Sequence, residues 1–377
     1  MGVAMIRILH CGDLHLDSPF SSLSHEKSEM RRQELRESFT YMMNYAQSEN
    51  VDMVLIAGDL FDSGFVFKDT LALLSARFSA LACPVVISPG NHDPYTADSL
   101  YAGGKLPDNV HVFAEESLAR LDFPSVGVSV TGYAFTSDRY ERNPLDTPFT
   151  LHPTHFNVLL GHADITSPIS KYAPIPLRSL EKSGFSYAAL GHVHNPPKAI
   201  RVGKTTAAYS GVAEGRSFDE PGFGGARLVM IERTDHGISV STKRLIFSRH
   251  RYMTEQVEVD GAERDEDVAD RIAERIRLQG YGKETALRVV LRGSVALQYT
   301  PDVAALSERC RGELDLLQIR DMTSPVFDIA YLQEDKTVRG ELYRALASQL
   351  ESEDERQRKV AALALQYGLR ALDGNMK

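Results

Sequence analysis

The chain of 377 residues contains no tryptophan and three cysteines, Cys11, Cys83 and Cys310. An odd number of cysteines without paired spacing argues against a disulfide framework and a thiolate zinc site, so we expect buried thiols and a reducing compartment. No apolar run approaches the roughly 18 residues that a membrane span needs, and the N-terminus lacks a charged leader followed by a long apolar region. These absences predict a cytoplasmic protein with no membrane segment.

Positive charge is also scarce. The sequence has 42 Lys and Arg against 51 Asp and Glu, a net charge of −9. Nucleic-acid-binding proteins typically present basic surfaces, so the charge alone counts against a nucleic-acid partner. Apolar residues make up 43% of the chain and charged residues 25%, as in folded proteins. Because single cores stop growing near roughly 250 to 300 residues, we predict at least two domains.

The first part of the chain alternates apolar runs with amphipathic stretches. Strands are predicted at 5–9, 53–57 and 85–88, with helices at 26–47 and 68–81 between them. Further strand-like runs lie at 128–131, 156–160 and 187–190, and a closing hairpin is expected at 226–231 and 238–242. This order predicts an α/β fold for residues 1–250, a β-sandwich flanked by helices.

The pattern of predicted strands and helices changes after residue 250. Residues 251–335 predict a small α/β capping domain, and residues 336–377 predict a helical tail. The apolar residues of the tail recur at helical spacing among charged ones, for example at Leu342, Leu346 and Leu350. Two interpretations of the tail stay open: it docks a partner, or it packs back on its own domain.

Five apolar runs each end in residue types that bind metals: IRILHCGDLH, VDMVLIAGDLFD, PVVISPGNHD, FNVLLGHAD and YAALGHVH. In α/β sheets ligands gather beyond the carboxyl ends of strands, so these distant residues can meet in one crevice. Asp13 with His15, and His192 with His194, are two residues apart, which places each pair on one side of an extended segment. Carboxylate, amide and imidazole together suit manganese, iron or zinc, and we favour manganese.

The motifs resemble those of the calcineurin-like metallophosphoesterase superfamily over about residues 5–245. D-x-H falls on Asp13 and His15, G-D-x-x-D on residues 58–62, G-N-H-D on 90–93, a single histidine on His162 and G-H-x-H on 191–194. DLHLDSPF at the first motif, GDLFD at the second and a small domain followed by helices are similar to the DNA repair exonuclease branch, the SbcD-like proteins.

The resemblance implies a role for each matched residue. One metal would be held by Asp13, His15 and His194, the other by Asn91, His162 and His192, with Asp59 as bridge, His92 as catalytic acid and Asp62 orienting His92. It further implies a two-metal phosphodiesterase acting on DNA, a 3′–5′ exonuclease with endonuclease activity left open, in which metal-bound hydroxide attacks phosphorus in line. A homodimer and a coiled-coil ATPase of the SbcC or YhaN kind are the implied partners.

Two other functions remain open. A small-substrate phosphodiesterase of the cyclic-nucleotide type or a phosphoprotein phosphatase uses nearly the same motifs, but the phosphatases carry Arg-Gly where Ser63 and Gly64 stand and Glu where Asp93 stands. An inactive scaffold that keeps the fold is the second alternative. Asp17, Asp93 and Asp164 flank the motifs, and we expect solvent-facing turn residues rather than partners of the imidazoles.

Overall fold

The computed structural model describes residues 5–21, 23–62, 66–103, 106–297 and 299–372, so Ser63 and Gly64, which bear on the phosphatase alternative, lie outside the described residues. The chain divides into two compact units, residues 1–251 and 252–377. All three cysteines are free thiols; Cys11 and Cys83 are buried, as predicted, whereas Cys310 is only partly buried. Within the described ranges, no helix is both long and apolar enough to cross a bilayer.

The first unit contains twelve strands within the described residues. They are β1 (Ile6–Cys11), β2 (Met53–Ile56), β3 (Val85–Ile87), β4 (Val110–Val112), β5 (Ala119–Phe123), β6 (Val128–Gly132), β7 (Phe156–His162), β8 (Tyr187–Gly191), β9 (Ile200–Val202), β10 (Thr205–Tyr209), β11 (Gly222–Thr234) and β12 (Gly237–Glu258), the last running past the division in sequence. The helices are α1 (His25–Ser48), α2 (Lys68–Ser79) and α3 (Leu177–Ser183), with a 3₁₀ turn at Pro144–Asp146.

One sheet of this unit has the strand order β12-β11-β1-β2-β3-β4. Strands β1, β2 and β3 are parallel, with Leu9 opposite Val54 and Val54 opposite Val85, so their carboxyl ends lie at the same edge. Helix α1 begins after Ser24, whose side chain accepts from the Lys27 N–H. Its apolar face, which includes Phe39, is buried with Leu9 in one core.

The second sheet has the order β5-β6-β7-β8-β10-β9, and β6, β7 and β8 are parallel. Ile8 and Leu55 of the first sheet share a core with Val130 and Val158 of the second, so two sheets face each other. The outer face of the second sheet packs with Leu180 of α3. The predicted β-sandwich flanked by helices is confirmed.

The second unit consists of short strands and five helices within the described residues. They are α4 (Asp265–Gln279), β13 (Thr285–Arg292), β14 (Ser294–Val295), α5 (Val303–Cys310), β15 (Leu316–Asp321), β16 (Ser324–Pro325), α6 (Ile329–Glu334), α7 (Val338–Leu350) and α8 (Glu355–Leu372). Strands β13 and β15 are parallel, and Val289 and Ile319 share a core with Ile272 of α4.

The C-terminal helices have two faces. Leu365 and Leu369 of α8 are buried with Tyr343 of α7. Arg370 donates to the backbone carbonyls of Leu297 and Tyr299 at 3.0 and 2.6 Å, which ties α8 to its own unit. On the other face of α8, Val360, Leu363 and Tyr367 are exposed. One side of the tail therefore packs back on its own unit, while the other is exposed.

Candidate metal centre

The loops after β1 and β2 run side by side. The Asp13 N–H donates to the Gly58 carbonyl at 3.0 Å, and the His15 N–H donates to the Asp59 carbonyl at 2.9 Å. Because these bonds continue the pairing of the parallel strands, the two acidic motifs arrive at one point. The approach holds Asp13 and Asp59 beside each other although 45 residues of chain lie between them.

Backbone strain is concentrated at the same edge. Asp13, His15 and Asp59 have φ values of 48°, 45° and 51°, and His192 has a φ of 103°. Residues with a Cβ rarely adopt these angles, and such outliers persist where the surroundings over-determine them, often at functional sites. Four of the predicted site residues are thus held in uncommon conformations.

Two glycines allow the two sheets to meet here. Gly58 has a φ of +85°, and a Cβ on it would stand 2.5 Å from His162 Nδ1. A Cβ on Gly191 would stand 1.8 Å from the Ala57 carbonyl oxygen. The ends of β2, β7 and β8 therefore approach closely because the motif glycines lack side chains.

The first cluster of side chains contains Asp13, His15 and His194, whose ligand-type atoms all lie within 4.8 Å of one another. Asp13 Oδ1 is 3.8 Å from His194 Nε2. The Nε2 atoms of His15 and His194 are 3.2 Å apart. Both Asp13 and His15 are buried.

The second cluster contains Asp13, Asp59 and His162. His162 Nε2 lies 3.5 Å from Asp59 Oδ2. The His192 N–H donates to Asp13 Oδ1 at 3.0 Å, and the His192 ring centroid is 5.2 Å from that of His162. The His92 N–H donates to Asp59 Oδ1 at 3.0 Å, which anchors the G-N-H-D loop to the same carboxylate.

Several atoms of these clusters are bare acceptors. His162 donates from Nδ1 to the Ala57 carbonyl at 3.1 Å, so its Nε2 carries a lone pair, and this buried atom has no hydrogen-bond partner among the described residues. The buried Asn91 Oδ1 likewise has no hydrogen-bond partner among the described residues. His194 donates from Nδ1 to Glu220 at 2.8 Å, which leaves its Nε2 as an acceptor facing that of His15. Burial without a partner is costly for His162 Nε2 and Asn91 Oδ1, and bound cations would satisfy both atoms.

His92 and Asp62 lie beside the first cluster. The His92 ring centroid is 4.9 Å from that of His15. His92 Nδ1 is 3.3 Å from the Asp62 backbone carbonyl and 3.6 Å from its Oδ1. The same Oδ1 is nearer to His15 Nδ1, at 2.9 Å. Asp62 thus contacts both histidines, and its principal contact is with His15.

Two residues at this site were not predicted from the sequence. Glu220 accepts from His194 Nδ1, and Arg216 donates to Asp62 Oδ1 at 2.9 Å and to Glu220 Oε1 at 2.7 Å. Neither follows one of the five apolar runs, and neither has a ligand-type spacing to a motif histidine. A carboxylate and an arginine a short way after the last motif are the only signal that the sequence carries.

The expectation of solvent-facing aspartates next to the motifs is wrong. Asp17, Asp93 and Asp164 are 5%, 5% and 8% exposed. Asp93 accepts the N–H groups of Asp59 and Leu60 at 3.1 and 2.7 Å, so it shapes the backbone of the second motif. Asp17 and Asp164 also accept hydrogen bonds within the fold, Asp17 from Thr70 and Asp164 from Thr166. They are buried because backbone and hydroxyl donors satisfy them, not because they hold imidazoles.

The model of the calcineurin-like phosphoesterase family matches residues 6–196. The chain belongs to this family. Members of the family are hydrolases that depend on two metal ions, and the two clusters described above contain residues able to bind them. The family predicted from the motifs is therefore confirmed.

Three relatives illustrate the similarity. The metallophosphoesterase YhaO of Bacillus subtilis is 28% identical over 77% of this chain and 72% of its own length. The SbcD component of the nuclease SbcCD of Staphylococcus epidermidis is 22% identical over 57% of this chain and 63% of its own. The DNA double-strand break repair protein Mre11 of Aeropyrum pernix is 29% identical over 57% of this chain and 55% of its own. The matches to the last two span less than two thirds of those proteins.

Burial sets the protonation of the family's site residues in this chain. It lowers the pKa of His15 to about 4, of His162 to about 3 and of His192 to about 4, so these imidazoles are neutral near pH 7. Burial, with the nearby Asp59 carboxylate, raises the pKa of Asp13 to about 7. For His194, burial acts to lower the pKa, but the Glu220 and Asp13 carboxylates raise it above the ordinary value.

Proposed function

We propose that this chain is a two-metal phosphodiesterase that acts on DNA as a 3′–5′ exonuclease. The observation that carries the proposal is the convergence of imidazoles and carboxylates whose ligand-type atoms lie within 4.8 Å of one another, together with the buried, unpaired acceptors His162 Nε2 and Asn91 Oδ1. A set of imidazole, carboxylate and amide ligands suits divalent ions such as manganese, which we assign to the site.

We propose that the residues divide between two ions as the resemblance to the family implies. Asp13, His15 and His194, which cluster in the structure, would hold one, Asn91, His162 and His192 the other, and Asp59 both. Two such ions neutralise the charge of a phosphodiester and lower the pKa of water. The protein contributes a preformed geometry, because the strained loops and close-packed glycines hold the ligand atoms in place.

We assign His92 as the acid that protonates the departing sugar oxygen. Its side chain is 43% exposed, so it is accessible to substrate. Asp62 contacts Nδ1 through its backbone carbonyl and its carboxylate, which orients the ring and leaves Nε2 for proton transfer. A pocket of about 390 Å³ beside His92 is lined by Phe61, Val66 and Leu100, among others, and an apolar wall suits a nucleobase.

DNA as substrate is supported by what two relatives are named for: a component of a nuclease and a DNA double-strand break repair protein. The net charge of −9 opposes DNA binding by the chain alone. A homodimer working in the cytoplasm with a coiled-coil ATPase would share the contacts to phosphate. The exposed side chains of Val360, Leu363 and Tyr367 on α8 are the surface that we assign to the ATPase.

End-labelled linear duplex DNA, incubated with the chain and Mn²⁺ beside a covalently closed circle, tests the substrate and the polarity. Loss of the linear form alone, starting from the 3′ end and abolished by Asp59→Asn, is the expected result. Hydrolysis of small diesters without cleavage of DNA would favour a cyclic-nucleotide-type enzyme. Bound metal without turnover of either substrate would favour the scaffold.

Co-purification with the ATPase tests the partner surface. Replacing Leu363 and Tyr367 together by Asp and Ser should abolish the complex, because a charged residue on an apolar interface is costly. Gln357→Asp adds a charge at an exposed position of the same helix and should leave the complex intact. Equal recovery of both variants with the ATPase would show that α8 is not part of the interface.

A further inference from the structure

The Arg216 guanidinium lies between two carboxylates at the edge of the metal centre. Its NH1 donates to Asp62 Oδ1 at 2.9 Å, and its NH2 donates to Glu220 Oε1 at 2.7 Å. The Arg216 backbone N–H adds a third bond, to Glu220 Oε2 at 2.7 Å. The side chain is only 19% exposed, so this ion-pair network is largely shielded from water. A planar guanidinium can hold two carboxylates at a set angle, which a lysine ammonium cannot do equally well.

Each of these carboxylates contacts an imidazole of the first cluster. Asp62 Oδ1 lies 2.9 Å from His15 Nδ1, and Glu220 Oε1 accepts from His194 Nδ1 at 2.8 Å. The Nε2 atoms of the two imidazoles are 3.2 Å apart. The contacts form a closed ring, which we call the Arg216 brace: His15, Asp62, Arg216, Glu220 and His194.

The Arg216 brace orients the Nε2 lone pairs of His15 and His194. A carboxylate that accepts from Nδ1, as Glu220 does at His194, selects the tautomer with a bare Nε2 and fixes the ring orientation. Asp62 lies against His15 Nδ1 as a close ionic contact without hydrogen-bond geometry, which favours a proton on that nitrogen. Because one guanidinium ties both carboxylates together, the two imidazoles are positioned relative to each other and not only singly. We propose that Arg216 and Glu220 are positioning residues that set the affinity of the Asp13, His15 and His194 cluster for its metal ion, an inference that rests on the two-metal function proposed above.

The location of the network argues against a role in stability alone. Buried ion pairs contribute little net stability, because desolvation offsets most of their attraction. A pair placed for stability has no need to contact imidazoles, whereas here both carboxylates reach the Nδ1 atoms of histidines whose Nε2 atoms face each other. Contacts of this kind typically change metal affinity by roughly 10- to 100-fold when they are removed.

Titration of the full chain with Mn²⁺, followed by electron paramagnetic resonance of bound and unbound ion, tests the proposal without relying on activity. The wild type should bind two ions per chain. Arg216→Gln should weaken one of them by about 10- to 100-fold and leave the other unchanged. Arg120→Gln removes an arginine paired with Asp122 at 3.0 Å in the same unit and should titrate like the wild type.

Two further variants separate positioning from folding. Glu220→Gln is isosteric and keeps an oxygen that can accept from His194 Nδ1, so it should weaken the same ion less than Glu220→Ala does. Arg216→Lys should recover part of the affinity lost in Arg216→Gln. If Arg216→Gln does not fold by circular dichroism, the comparison of Glu220→Gln with Glu220→Ala decides. Wild-type titration by the folded Arg216 and Glu220 variants would overturn the proposal, whereas a wild type that binds fewer than two ions would overturn the two-metal function instead.

Discussion

The metal centre of the first unit buries polar atoms that lack partners among the described residues, whereas helix α8 of the second unit exposes apolar side chains. At the metal centre, His162 Nε2 and Asn91 Oδ1 are buried acceptors without a donor among the described residues. On α8, Val360 and Tyr367 are each 59% exposed. Both arrangements cost free energy in the isolated chain, since unpaired polar groups are penalised by burial and apolar groups by hydration. We propose that each cost is relieved by binding, of metal ions at the first site and of a partner surface at the second.

The units also differ in what holds them in shape. The metal centre depends on contacts between residues far apart in sequence and on strained backbone at Asp13 and Asp59. The C-terminal helices depend on regular spacing of apolar residues, with Leu365 and Leu369 buried on one face. We therefore expect substitutions at the metal centre to abolish hydrolysis at little cost in unfolding free energy. Substitutions on the buried face of the C-terminal helices should lower the unfolding free energy and leave hydrolysis unchanged.

Asp59→Asn should have the largest effect. The amide keeps the shape and can still accept from the His92 N–H, but it removes the charge shared by both ions. We expect Mn²⁺-dependent hydrolysis of a small phosphodiester to fall by more than the roughly 10- to 100-fold that changes beyond the ligands cost. Circular dichroism should be unchanged. Asp69→Asn, at an exposed position of α2, is the control, and a variant of Asp59 with full activity would contradict the bridging role.

His92→Ala should separate catalysis from metal binding. Loss of a general acid typically slows the reaction by about 10²- to 10⁴-fold. The number of bound Mn²⁺ ions should stay the same, because His92 is not one of the proposed ligands. His236→Ala, at an exposed position, should match the wild type in both measurements. A loss of bound metal in His92→Ala would place this side chain among the ligands.

Leu365→Ala should test the second unit. Leu365 is fully buried, and truncation of such a leucine typically costs about 2 to 5 kcal/mol of unfolding free energy. Leu363→Ala on the exposed face of the same helix should cost less than about 0.5 kcal/mol. Urea unfolding measures both. Hydrolysis of a small diester should be unaffected in either variant, and a loss of hydrolysis in Leu365→Ala would show that the two regions are not independent.

The pH dependence of Mn²⁺ affinity should be the smallest effect. Because burial raises the pKa of Asp13 to about 7 and nearby carboxylates raise that of His194, up to two protons must leave when metal binds below that pH, and affinity should fall by about tenfold per pH unit for each proton. The imidazoles with pKa values of about 3 to 4 compete only in more acidic solution. Calorimetric titration at pH 8, 7 and 6 measures the slope. Constant affinity from pH 8 to 5 would show that Asp13 is ionised throughout.

The raised pKa of Asp13 also predicts a stability effect without metal. The folded state favours the protonated Asp13 carboxyl, so the contribution of Asp13 to the stability of the metal-free protein, measured as wild type minus Asp13→Asn, should fall as pH rises from 3.8 towards 7. The buried imidazoles of His15, His162 and His192 act in the opposite direction over this range in both proteins. Bound Mn²⁺ should cancel that loss, because the ion compensates the carboxylate. Thermal unfolding at several pH values, with Mn²⁺ and with a chelator, compares the two cases.

Long periodic segments were predictable from the sequence. The helix expected at 26–47 is His25–Ser48, and the strand expected at 156–160 is Phe156–His162. Short edge elements were not: β5 (Ala119–Phe123) and β9 (Ile200–Val202) are only five and three residues long, and their pairing with neighbouring strands defines them. Such segments have no periodicity strong enough to identify them before the sheet is assembled.

The sequence by itself determined the family and the order of five strand-end motifs, because ligand spacing such as that of Asp13 with His15 is local. Tertiary structure alone decided that Asp93 is buried beneath the second motif and that Arg216 reaches Asp62 across a separation of 154 residues. The burial and the partners of a side chain depend on which distant strands pack together, and the local pattern of residues does not specify that packing.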